Sequence, residues 1–223
     1  MNASIRRSVV VALSTLLLVV LVVLAFRVTS HAEAPPDAER GRALFLAKQC
    51  DRCHIAGGGA GFGPGLEDLR RPQGSLELVG RLWNHVPAMW ATVTQQGLRW
   101  PEFDAAEMAD LMAYLRADAA RDARPDPAKG QVVLIRKGCL KCHSYRREGG
   151  GIQPDLAVPR GDYASATAWA ATMWTHTPRM VGASTGLRVP YPRFSGDEMS
   201  NLLGFLRGAT TVPPAGPSAS PGR

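Results

Sequence analysis

The sequence is poor in cysteine. Four cysteines in 223 residues are too few for a scaffold of this size stapled by disulfides. Only one apolar run approaches the length of a bilayer span, which excludes a multi-span transporter. Hairpin turns between alternating apolar runs are missing, so no strands are expected. Basic residues form no dense run beside a recognition motif, which argues against nucleic-acid binding. There are no paired carboxylates, no Ser/His/Asp set and no phosphate-cradling loop, so nothing resembles a substrate pocket. What is present is 45% hydrophobic residues, enough for packed cores and too many for a fully disordered chain.

Charge is distributed unevenly. From Asp37 to Arg124 there are 11 Lys/Arg and 12 Asp/Glu, whereas from Lys129 to Arg207 there are 11 and 5. The basic second half suits an acidic protein partner or an anionic membrane, and a solvated surface is the plainer alternative. At the amino terminus Arg6 and Arg7 precede an apolar stretch, Val9 to Phe26, broken only by Ser14 and Thr15. Its 18 residues compare with roughly 20 for a spanning helix. The small-residue site Ala32-Glu33-Ala34 is followed by Pro35, which hinders cleavage, so residues 1–30 read as an uncleaved anchor in preference to a removed signal peptide. On either reading the chain from about His31 onward is exported to the periplasmic side of the inner membrane.

The remainder repeats itself. Cys50-Asp51-Arg52-Cys53-His54 matches Cys139-Leu140-Lys141-Cys142-His143 at an offset of 89, and Pro64 and Leu66 match Pro154 and Leu156 at 90. Trp83, His85, Pro87 and Met89 match Trp174, His176, Pro178 and Met180 at 91, as does Pro101-Glu102-Phe103 to Pro192-Arg193-Phe194. So small a drift marks a tandem duplication, with domains expected at 36–121 and 128–208. A stiff proline-bearing joint, Asp122 to Pro127, links them. Residues 209–223 read as a disordered tail. The fold expected is all-α: two tandem helical domains preceded by one hydrophobic N-terminal helix. In the first copy helices are expected over Ala38–Gln49, over Leu76–Gln96 with a possible break at Pro87, and from Ala105 to Ala117 behind an Asp104 cap. Met108 and Met199 fall at core spacing on the last helix of each copy.

Cys-x-x-Cys-His is the attachment signature of a c-type haem: two thiols bond the vinyl groups and the histidine takes the iron. Residues i, i+3 and i+4 share one face of a helical turn, so Cys50, Cys53 and His54 can reach one haem, and Cys139, Cys142 and His143 another. A zinc ribbon needs its two Cys pairs far closer in sequence, and a redox-active Cys-x-x-Cys needs a βαβ context. A structural disulfide leaves the two following histidines unexplained.

On these residues the chain resembles a tandem of class I-type c-cytochrome domains, a di-haem cytochrome c, over about Pro36 to Gly208. The resemblance extends to Gly41 and Phe45, to Gly63-Pro64-Gly65-Leu66, and to Pro101-x-Phe103 before a helix ending Tyr114-Leu115. It implies two covalently bound haem c groups. It also implies that the first and last helices cross at Gly41 against Tyr114 and at Gly130 against Phe205. The carbonyls of Pro64 and Pro154 should receive the ring N–H of His54 and His143, orienting each ligand. Trp83 and Trp174 are expected to pack against the porphyrin, with an ordinary core role as the alternative.

The chain departs from that family at the sixth ligand. The position before Pro-x-Phe, usually the axial methionine, holds Trp100 and Tyr191. The resemblance favours Met89 and Met180 instead; His85 and His176, or an open position, are the alternatives. Trp100 and Tyr191 would then cover the vacated face. The function implied is electron transfer between exported or membrane-bound redox partners of a respiratory chain, with no catalytic residues. A di-haem peroxidase or sulfur-compound oxidoreductase with one open iron is the alternative.

Overall fold

The computed structural model describes residues 13–20, 35–55, 63–158 and 160–211. The chain divides into Met1–Pro35 and Pro36–Arg223. In the first unit residues 13–20 are helical, and the rest of the expected anchor lies outside the described residues. Among the described residues no helix is long and apolar enough to cross a membrane.

The second unit builds one plan twice. Helices α1 (Ala38–Ala47), α2 (Leu66–Leu69), α3 (Ser75–Gln95) and α4 (Ala105–Tyr114) form the first repeat. Helices α5 (Pro127–Arg136), α6 (Ala166–Gly186) and α7 (Glu198–Thr211) form the second. Aspartates start several of them. Asp37 accepts from the Arg40 N–H, Asp126 accepts from Ala128 and Lys129 ahead of Pro127, and Asp104 pairs reciprocally with Glu107. Helix α7 reaches Thr211, so its last turn enters the stretch expected to be disordered; residues beyond it lie outside the described ones.

Two features depart from expectation. Strands β1 (Ser144–Tyr145) and β2 (Glu148–Gly149) form a short antiparallel pair where none is expected. Its tight turn needs positive φ at both central residues, normally an Asn-Gly signal. Here Arg146 and Arg147 adopt φ of 52° and 68°. The Asp155 carboxylate accepts both their N–H groups, at 3.1 and 2.7 Å, so the support for the turn lies outside it. Helix α3 also runs unbroken through Pro87, and α6 through Pro178. Proline removes the N–H that would bond the carbonyl four residues back. In α3 that carbonyl belongs to Trp83, and the Tyr191 hydroxyl of the other repeat donates to it at 3.3 Å.

Helix α1 crosses α4, and α5 crosses α7, each at a glycine. A Cβ on Gly41 would overlap the Asp110 carbonyl and the Tyr114 Cβ; one on Gly130 would overlap the Asn201 carbonyl and the Phe205 Cβ. These are the crossings the resemblance implied. Met108 and Met199 are buried in the core, where spacing put them.

The α1–α4 crossing carries a charge pair that its counterpart lacks. The Arg40 guanidinium donates twice to Asp110, through Nε and Nη2, both at 2.8 Å, and the Asp37 N–H adds a third bond at 2.7 Å. Asn201 holds the equivalent place in the second repeat and accepts from the Asp126 N–H at 2.8 Å. Hydrogen bonding from Arg40 holds the Asp110 carboxyl below the usual range, against its burial. A depressed carboxyl stabilises the fold above its unfolded pKa of about 3.9, and that contribution is lost as pH falls through the lower folded value. Asp110→Asn should therefore flatten the acid limb of the stability profile below about pH 4. Urea denaturation at stepped pH checks this, and an unchanged acid limb would contradict it.

The repeats meet through α3 and α6. Each long helix offers a tryptophan to the Pro-x-Phe segment of the other repeat. Trp83 Nε1 donates to the Pro192 carbonyl and Trp174 Nε1 to that of Pro101, both at 2.7 Å. Trp83 stacks on Tyr191 with ring centres 5.0 Å apart, and Trp174 on Trp100 at 4.7 Å. Aromatic contacts of this kind add to what apolar burial alone contributes.

Candidate functional site

Each Cys-x-x-Cys-His segment follows a helix through one left-handed residue, Gln49 at φ 61° or Gly138 at φ 74°. The chain then winds into a single 3-10 turn, Cys50–Arg52 or Cys139–Lys141. The His54 N–H reaches the Cys50 carbonyl at 3.0 Å, and that of His143 reaches Cys139 at 2.9 Å. This local winding puts both cysteines and the histidine of each motif together, as their spacing predicts. None of the four is in a disulfide. Burial pushes the Cys50 thiol up to about 12 and that of Cys139 to about 11. Thiol–disulfide catalysts instead lower their attacking thiol, so this setting does not suit that chemistry.

The two motif histidines are buried and fixed at one ring nitrogen. His54 Nδ1 lies 3.0 Å from the Pro64 carbonyl, and His143 Nδ1 lies 2.9 Å from that of Pro154. A carbonyl can only accept, so Nδ1 carries the proton and Nε2 is left as the lone-pair nitrogen that binds metal. Gly63 leaves room for the ring: a Cβ there would sit 2.5 Å from His54 Cε1. Burial lowers the His143 pKa, which further favours the neutral ring.

Beside the first motif lies a cavity of about 610 Å³ whose lining includes Cys50, Cys53, His54, His85, Met89 and Trp100. A second cavity of about 350 Å³ shares Cys50, His54, His85 and Met89, and extends to Phe45, Phe103 and Trp174. Volumes of this order suit a cofactor-sized ligand. Trp100 adds a test of fit. Its Nε1–H is buried and has no hydrogen-bond partner. Such a donor is costly unless an acceptor arrives, and a haem propionate would supply one. The residues present therefore fit the group that the motif calls for.

His85 and His176 are half-buried on α3 and α6. Their ring centres lie 5.9 Å from His54 and 6.1 Å from His143. Burial, with the neighbouring histidine, holds both below the ordinary imidazole range and so neutral. Met89, one turn beyond His85, also lines the first cavity; Met180 is partly buried against the core. Among the described residues no three His, Cys, Asp or Glu side chains converge to hold a bare metal ion.

Trp83 and Trp174 sit in different settings. Trp83 is not among the residues lining the cavities at Cys50 and His54; it is buried in the contact between repeats. Trp174, from the second repeat, lines a cavity of the first. Trp100 lines the first cavity as anticipated, while Tyr191 lies on Trp83.

One pair of site residues was not foreseen. Lys48 Nζ donates to the Glu102 carbonyl at 2.6 Å and pairs with Glu107 at 3.1 Å; Lys137 donates to the Arg193 carbonyl at 2.6 Å and pairs with Glu198 at 2.7 Å. Each bridge ties the lysine two residues before its first cysteine to the Pro-x-Phe segment. A lysine two residues before both motifs was the available signal.

Residues 38–117 match the family model for Cytochrome c. That domain implies a covalently held haem c and a haem-based electron-transfer role typical of a carrier. Neither the curated proteins nor the solved structures gave a match to the chain.

Proposed function

We propose that the chain is a di-haem c-type cytochrome that passes electrons between exported or membrane-bound redox partners of a respiratory chain. The observation that carries this is the second repeat. Outside the matched domain it reproduces the cysteine pair, a buried histidine, and the bond from that histidine to a proline carbonyl. A haem bound at each motif supplies an iron that changes oxidation state by one electron. Cys50 and Cys53, and likewise Cys139 and Cys142, fix its periphery. His54 and His143 hold its iron, with Pro64 and Pro154 setting the ring orientation. Trp100 would anchor a propionate.

Supporting the carrier reading over an enzyme is the matched pair of histidine environments, His54 with His85 and His143 with His176 at nearly equal ring separations. The apolar N-terminal run supports anchoring on the periplasmic side of the inner membrane. The excess of Lys and Arg after Lys129 supports docking of an acidic partner at the second repeat. The purified protein should be reduced and reoxidised reversibly at both irons and should exchange electrons with a small soluble c cytochrome. Hydrogen-peroxide turnover at rates of a dedicated peroxidase would overturn the carrier reading.

A further inference from the structure

We infer that His85 and His176 are the sixth ligands, making both irons bis-histidine in place of histidine–methionine. The inference rests on the di-haem reading and deepens it.

Its basis is a distance that recurs. Two imidazoles bound on opposite sides of one metal, each at a metal–nitrogen distance of about 2.0–2.1 Å, have ring centres about 6.4 Å apart, within about half an ångström of what is seen here. The two histidine pairs are separated by 5.9 and 6.1 Å, with interplanar angles of 54° and 58°. Rings tilted this steeply are not stacked on each other, and the gap between them matches a bridging metal. Both copies of the repeat keep nearly the same separation and tilt.

The hydrogen-bond inventory points the same way. Nδ1 of each motif histidine is bound to a proline carbonyl, whereas among the described residues neither His85 nor His176 has a hydrogen bond to its ring. Both rings are half-buried, and a metal satisfies an imidazole nitrogen as a proton donor would. His85 lines both cavities beside Cys50 and His54. Because α3 and α6 continue through Pro87 and Pro178, each methionine stays one turn further along the same helix face. Met89 and Met180 then serve as apolar wall, a role that suits a flexible thioether.

The experiment uses the full chain loaded with haem, with near-infrared absorption and paramagnetic resonance on the oxidised form. Haem content is measured on the same sample. Expected are two low-spin irons without the methionine–iron charge-transfer band, and spectra unchanged in Met89→Leu and Met180→Leu. His85→Met should create that band, or a high-spin signal, for one iron only, and should raise that iron's potential, since methionine ligation favours the reduced state. A methionine band in the parent protein that disappears in Met89→Leu or Met180→Leu overturns the assignment. So does a high-spin iron in the parent protein. Either result with two haems present leaves the di-haem reading standing, whereas absence of covalent haem overturns both.

Discussion

Replacing Cys139 and Cys142 with serine should remove one haem per chain and leave the second repeat unfolded or rapidly cleaved. Each repeat is small, and small units bury too little apolar surface to be robust on their own. In the first repeat the cleft shared by Phe45, Phe103 and Trp174 is what a macrocycle would fill. By repetition, α5, α6 and α7 would depend in the same way on a macrocycle held at Cys139 and Cys142. Damage should also cross the interface, because losing α6 removes Trp174 from Pro101 and Trp100. Haem content and limited proteolysis of the variant check this. A variant as protease-resistant as the parent, with an unaltered spectrum for the remaining haem, would contradict it.

The second large effect is expected at Trp174. Trp174→Ala should destabilise the protein by about 3–5 kcal/mol, the usual cost of truncating a buried tryptophan. The site is 7% exposed, stacks on Trp100 at 4.7 Å, meets Phe103 edge-on at 5.9 Å and donates to Pro101. The more informative consequence is where the spectrum changes. Trp174 belongs to the second repeat but lines the cavity of the first. The altered iron should be the one on His54, not the one on His143. Trp174→Phe keeps an aromatic wall and loses the N–H bond, so it should cost about 0.5–1.5 kcal/mol. Denaturation curves give the energies, and resonance spectra resolve the two irons. A change confined to the His143 iron would sink the crossed arrangement.

That crossing marks the limit of what was legible in the sequence. The tandem plan follows from an offset of about 90 residues, the Gly41 and Gly130 crossings and the proline carbonyls behind His54 and His143 from the family resemblance, and the Cys-x-x-Cys-His motifs from short spacings. Local geometry enforces such spacings wherever the segment sits. Which repeat Trp83 and Trp174 serve is a long-range matter, and the recurrence of a tryptophan cannot distinguish its own repeat from its neighbour. Pro87 left one helix or two open for a related reason: the hydroxyl that satisfies the freed Trp83 carbonyl comes from Tyr191, 108 residues away. The β1–β2 turn was invisible because Asp155, not a turn residue, compensates the backbone of Arg146 and Arg147. At the sixth position the sequence offered histidine and methionine one turn apart. The recurring histidine–histidine separation is the observation that favours histidine.

The most direct test of the account is the haem count per polypeptide. It is obtained from the reduced haem absorbance against protein concentration and from the intact mass of the matured chain. Two covalent haem increments on one chain are predicted, with one lost in each cysteine-pair variant. A single increment confined to residues 38–117 would contradict the tandem reading, and with it the crossed interface as a link between two irons.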